Sequence, residues 1–201
     1  MKRALLSLTL AVFALTAIAG NNDGSKLAVD SKSSTMAWKG SKVTGSHVGT
    51  VAIQSGSVET DGKTISAATV NIDMKTIACT DADMNDKYKG KLVGHLNSPD
   101  FFNVAEHGTA TFDLSKFEAK KGENGANYLV TGKLTIKGIT QVISFPATVT
   151  MKDGEVIVEA KVVIDRTKWD IKYGSGSFFD SLGDNMIYDD MEIDFRLVAK
   201  A

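Results

Sequence analysis

TDADMNDKYKGKLVGHLNSPDFF, running from Thr80 to Phe102, is the longest stretch downstream of the N-terminal segment that does not read as a β-strand. Met84, Tyr88, Leu92 and Leu96 recur every four residues and share one helical face, with Lys87, Lys89 and Lys91 mostly turned away. Thr80 or Asp81 is placed to cap this helix, and Asp81, Asp83 and Asp86 suit its positive end. Ser98-Pro99-Asp100 then restarts the chain, with Ser98 as a cap and Pro99 at a first helical position, delivering Phe101 and Phe102 as an apolar plug. Nearly everything on either side alternates with period two. A single helical insertion in a stranded chain covers something, and the open end of a barrel is the candidate.

The strands follow at short intervals. Ser34 to Val43 sets Met36 and Trp38 on one face, and Val48 to Ser55 follows among glycines. Asp61-Gly62 signals a hairpin into Thr64 to Met74, whose apolar face is Ala68, Val70, Ile72 and Met74. After the helix, Thr109 to Phe117 offers Ala110, Phe112 and Leu114, and Tyr128 to Lys137 offers Val130, Leu134 and Ile136. Gly138-Ile139-Thr140 turns the chain into Val142 to Met151, where Pro146 suits an edge or a bulge. Asp153-Gly154 turns it again into Val156 to Asp165, with Val156, Val158, Ala160, Val162 and Ile164 on one face. Ile187 to Ala199 is the clearest strand, with Met191, Ile193, Phe195 and Leu197 inside against Glu192, Asp194 and Arg196.

Eight or nine such strands in one open sheet would leave a long edge and a bare apolar face. Closure into an up-and-down antiparallel barrel removes both, which makes the chain all-β with one helical insertion covering an end. Two packed sheets are the alternative.

Residues 1–19 stand apart from this pattern. Lys2-Arg3, the apolar run Leu5 to Leu15, and Ala17-Ile18-Ala19 read as a signal peptide with small residues where the peptidase needs them, so the expected location is periplasmic or secreted. The apolar run is too short to span a bilayer, and nothing later is longer, which speaks against an integral membrane protein. Residues 20–33 read as a flexible lead-in to a single domain over 34–201. Cleavage removes two of 23 basic residues and leaves a net charge of −3 against 24 acidic ones. No clustered basic face remains to grip a nucleic-acid backbone. Cys79 is alone and reads as a buried small hydrophobe at a strand end.

Six segments resemble the YceI-like family, in register across nearly the whole chain: Trp38-Lys39-Gly40, Gly45-Ser46-His47-Val48-Gly49, Ile72-Asp73-Met74, HLNSPDFF at 95–102, GKLTIKGIT at 132–140 and IDRTKWDI at 164–171. The resemblance implies an exported bacterial protein with an extended, lipocalin-like barrel. It further implies an apolar tunnel for a long amphiphile, typically a polyisoprenoid such as a quinone tail, and no cofactor besides such a lipid.

The residues themselves agree on a cavity and are silent on its occupant. The inward candidates for a tunnel lining are Met36, Trp38, Ala68, Val70, Ile72, Phe101, Phe102, Phe112, Val130, Leu134, Val158, Ala160, Val162, Ile193 and Phe195. Many are small or medium, and an ordinary packed core is the competing reading. Each buried CH₂ contributes about 0.8 kcal/mol while association costs roughly 4–15 kcal/mol, so ten or more buried carbons bind usefully and a few do not.

Catalytic motifs are lacking, and a non-catalytic carrier or store is expected, with a membrane respiratory protein as a candidate partner. The alternative is a metal-dependent module using His47, His95 and His107, the only histidines. None of them has a helix-spaced partner, so no metal is expected. His95 and Arg166 are the candidates for contact with a polar head group, Arg166 otherwise forming an ion pair with Asp165 at the barrel end. Phe178, Phe179 and Leu182, within SGSFFDSLGDN at 175–185, are the candidates for a second cover.

Overall fold

The computed structural model describes residues 24–201. The expected signal peptide lies outside the described residues. Nine strands form in chain order: β1 (Ser25–Val29), β2 (Thr35–Lys42), β3 (Gly45–Thr60), β4 (Ile65–Cys79), β5 (Thr109–Ala119), β6 (Tyr128–Ile136), β7 (Ile139–Lys152), β8 (Glu155–Asp165) and β9 (Ile187–Lys200). From β2 to β9 each strand pairs antiparallel with the next, and β2 pairs with β9, which closes an up-and-down barrel. Its outward faces carry Glu159, Lys161, Glu192 and Asp194, whereas a transmembrane barrel presents an apolar band there. No helix among the described residues is long and apolar enough to cross a membrane.

The expected flexible lead-in is corrected in its second half. β1 pairs Ser25–Ala28 with Ser57–Thr60 of β3 and touches the end of β9, so β1 and β2 are successive halves of one stave. Leu27 is the buried anchor of this short strand. The kink between the halves is held by the Asp30 carboxylate, which accepts from the Lys32 amide and the Ser33 hydroxyl and meets Lys200 at 2.6 Å.

Turn chemistry sets the register. Lys137 and Gly138 have φ of 51° and 74°, the two left-handed residues of a tight hairpin, so Ile139 and Thr140 belong to β7 and not to the turn. Asp153-Gly154 turns as expected, with φ of 55° and 78°. Pro146 pairs across from Leu129 of β6, and the β7–β8 ladder runs over Thr148–Lys152 against Glu155–Glu159. On the β8 side, Pro146 therefore sits at a local edge, where its missing N–H costs nothing.

The helix α1 spans Asp86–Asn97, shorter than the sequence suggested. Its cap is Asn85, whose side chain accepts from the Tyr88 amide, while Asp81 is engaged elsewhere. Met84 precedes the helix and Tyr88 is exposed; Leu92 and Leu96 face the core. Ser98 ends α1 and starts no new helix: its amide and hydroxyl donate to the His95 carbonyl, and its own carbonyl accepts from Phe101 and Asn103. This tight turn still buries Phe101 and Phe102. α1 packs against β4, at the end where the β2–β3 and β6–β7 turns and the segment between β8 and β9 also lie.

Candidate ligand cavity

At the α1 end, the inward side chains of the barrel leave an apolar cavity of about 170 Å³. β3 and β4 contribute Val51, Ile53, Val70, Ile72 and Met74 to its wall. β5 to β8 add Ala110, Phe112, Leu134, Ile136, Ile143, Phe145 and Val162. β2 and β9 complete it with Met36, Trp38, Met191, Ile193, Phe195 and Leu197, and the roof is Leu96, Phe101, Phe102, Ile171 and Ile187.

Two glycines keep large rings against the wall. A Cβ on Gly132 would lie 2.2 Å from Cζ of Phe112, and one on Gly49 would lie 2.4 Å from the Trp38 ring. Each ring therefore lies over bare backbone, and the Trp38 indole N–H donates to the Thr50 carbonyl at 3.3 Å. Phe145 meets Phe112 and Phe195 with ring centroids 5.8 and 5.9 Å apart, a chain of tilted and edge contacts around the lumen.

Eleven of the fifteen residues expected on a tunnel wall line this cavity. Ala68, Val130, Val158 and Ala160 do not. Ala68, Val130 and Val158 fall in the half of the barrel away from α1, where Leu27, Val58, Val156 and Ala199 are packed tightly. Ala160 is buried beside the wall without forming it. The alternation places all four inward; which half of the lumen they occupy depends on strand stagger, which alternation does not encode. The same limit hid Val51, Ile53, Ile143 and Phe145 of the wall.

Arg166 lies at the roof and is 4% exposed. Its Nε donates to the Tyr188 carbonyl at 3.1 Å, Nη1 to Ile171 at 2.7 Å, and Nη2 to Ile187 at 3.1 Å. Its ionic partner is Asp189 at 3.4 Å, not Asp165, which instead caps the turn at Thr167. Burial pushes the guanidinium pKa down, and Asp189 and Asp165 oppose that. The guanidinium carbon lies 5.9 Å from the Phe101 ring centroid. One side chain thus ties the β8–β9 segment to the phenylalanine plug.

The histidines have separate partners. His47 Nδ1 is 2.6 Å from the Asp81 carboxylate, which also accepts from the Val48 amide. Burial would raise the Asp81 pKa, but the Val48 N–H and His47 hold it below the usual value. His95 is 3.4 Å from Asp100 and meets Phe101 and Tyr173 edge-on, off the cavity wall. His107 packs over Gly138. Among the described residues no three of His, Cys, Asp or Glu gather as a metal site. The expected second cover is only partial: Phe178 and Phe179 are half-exposed, and the partner of Phe101 there is Tyr173.

The YceI-like domain model matches residues 27–199. A UPF0312 protein of Pseudomonas aeruginosa is 36% identical over 92 residues, 46% of this chain and 43% of its own length. Another, from Pectobacterium carotovorum, is 38% identical over 87 residues, 43% of this chain and 40% of its own. The matched segments thus span less than half the length of these relatives. Among solved structures, BcnA of Burkholderia cenocepacia aligns with a TM-score of 0.60 and 24% identity, covering 86% of this chain and 99% of that one. A polyisoprenoid binding domain from Saccharophagus degradans aligns with a TM-score of 0.62 and 17% identity, covering 87% and 98%. At these identities the two structures speak for the fold. With the family match covering nearly all of the barrel, this chain belongs to the YceI-like domain family.

Proposed function

We propose that this protein is an exported, non-catalytic carrier or store that holds the tail of a long amphiphile, a polyisoprenoid or quinone-like lipid, in the cavity under α1. The observation that carries the reading is the wall itself: apolar on every strand, flanked by phenylalanines, with Arg166 the one cation on it. Apart from Arg166 and Asp190 at the α1 end, a small polar substrate would find no charged groups there, whereas methylene or prenyl groups lose nothing by leaving water. The solved polyisoprenoid binding domain of the same fold supports the choice of ligand class. In this reading Arg166 meets an anionic or carbonyl head group at the roof, and His95 contacts only a head group that protrudes past Phe101. Serving a membrane respiratory protein fits a quinone-like ligand.

The experiment is organic extraction of protein purified from the periplasmic fraction, followed by mass spectrometry. A stoichiometric long-chain lipid is expected, together with a mature N-terminus near Gly20. Protein that is clean of lipid, and that takes up none when offered a prenylated quinone, would sink the proposal.

A further inference from the structure

Every large apolar side chain that is exposed among the described residues lies in the α1 half of the barrel, and none lies at the opposite end. The most prominent are aromatic: Tyr88, Tyr173, Phe178, Phe179 and Tyr188, between 46% and 56% exposed. Phe178 and Phe179 are not on a loose tip. Both their amides donate to the carbonyl of Ser175, which is fully buried and bridges to Ile187, and the Ser177 hydroxyl donates to Asp189 at 2.6 Å. An ordered turn thus holds two phenyl rings out in water, which folding alone does not explain. The same segment runs into the cavity, since Ile187 and Tyr188 are part of its wall.

We infer that this aromatic rim docks the α1 end onto an uncharged lipid bilayer surface, so that the cavity mouth faces the membrane. The inference rests on the lipid-cargo reading for its choice of partner: a tail that is insoluble in water must be collected from a lipid phase. Charge argues for a neutral surface over an anionic one. The rim carries both signs and no basic excess: Lys172, 5.0 Å from the Phe178 ring, and Lys87, Lys89 and Lys91 around Tyr88 stand against Asp83, Asp86, Asp180, Asp184, Asp189 and Asp190. Half-exposed phenyl rings flanked by tyrosines suit the boundary between head groups and acyl chains.

The test is co-sedimentation of the full mature protein with phosphatidylcholine vesicles, for wild type and Phe178→Ser/Phe179→Ser. Wild type should partition onto the vesicles equally at low and high salt, and less well as phosphatidylglycerol is added. The double variant should lose at least about tenfold in partitioning while its melting temperature stays unchanged and it still takes up a prenylated quinone offered in detergent. In a second arm, Phe178→Trp should be quenched by brominated phosphatidylcholine. Wild type left in the supernatant, a double variant that partitions like wild type, or no bromine quenching would each overturn the docking. Lipid-loaded protein that ignores vesicles removes the docking and leaves the cargo reading standing. Protein that binds vesicles through Phe178 and Phe179 but carries no long-chain lipid removes the cargo reading alone.

Discussion

Val162 and Ala160 stand two residues apart on the same face of β8, yet only Val162 borders the cavity. Replacing each with phenylalanine therefore puts the same ring into two different environments. A benzene ring occupies a cavity of roughly 150 Å³, so the ring of Val162→Phe fills most of the 170 Å³ available. At about 24 cal/mol per Å³ of void, the upper bound on the gain is about 4 kcal/mol, and overpacking strain takes back about 1–3 kcal/mol. Lipid-free Val162→Phe should accordingly unfold at an unchanged free energy or up to about 3 kcal/mol higher, the largest gain less the smallest strain. Ala160→Phe has no void to fill beside Phe195, its partner on β9. It should lose about 1–3 kcal/mol, or roughly 2–12 °C in melting temperature for a domain this size. Urea melts of delipidated protein give the stabilities, and extraction with mass spectrometry gives the bound lipid. Val162→Phe should carry at least about tenfold less lipid than wild type, since the tail loses several buried methylenes. If both variants are destabilised alike, or if Val162→Phe retains its lipid, the cavity is not where a ligand sits.

Arg166→Gln leaves the carbonyls of Ile171, Ile187 and Tyr188 short of their shared donor and should cost about 3–5 kcal/mol in urea melts. Lysine should not rescue it, because one ammonium cannot reproduce the planar fork; a loss under about 1 kcal/mol would refute the stapling role. Asp81 has its folded pKa below the usual value of 3.8, so its contribution to stability is present above that pH and lost as pH falls through the folded pKa. Asp81→Asn should flatten the acid limb of the stability profile below about pH 4, and an unchanged limb in acid titration followed by circular dichroism would show that the carboxylate is not linked to folding.

Legibility in the sequence tracked how local the cause was. Period-two alternation and the Asp153-Gly154 dipeptide are written within a few residues, and the strands and that turn followed from them. The Lys137-Gly138 turn was placed a residue late because lysine carries no turn signal of its own, although its left-handed φ of 51° is required there. α1 was over-extended at its start because Thr80 and Asp81 look like caps. Asp81 is captured instead by His47 and Val48, 34 and 33 residues away in sequence. Arg166 was attached to its neighbour Asp165 for the same reason, while its real partners lie across the β8–β9 segment. The division of the lumen into an open and a packed half depends on the stagger of all the strands together, and no window of sequence holds that.

The size of the cavity sets what else must move if a long tail is to bind. About 170 Å³ accommodates a ring or a short run of methylenes, whereas useful affinity calls for roughly ten or more buried carbons. The extra length cannot come from below, where Leu27, Val58, Val130 and Val156 fill the lumen. It cannot come from parting β8 and β9, which are paired without a break from Glu155↔Lys200 to Asp165↔Asp190. Two boundaries are softer. Met36, Met74 and Met191 on the wall are unbranched and repack at little cost. Beyond Thr148, towards the α1 end, Ile143 and Phe145 of β7 face Val162 of β8 across a border outside the β7–β8 ladder. Widening there breaks side-chain contacts but no ladder hydrogen bonds. A tail of the required length must therefore lodge at the α1 end, between the phenylalanine plug and the β7–β8 border, and the staves of the opposite half have no reason to change.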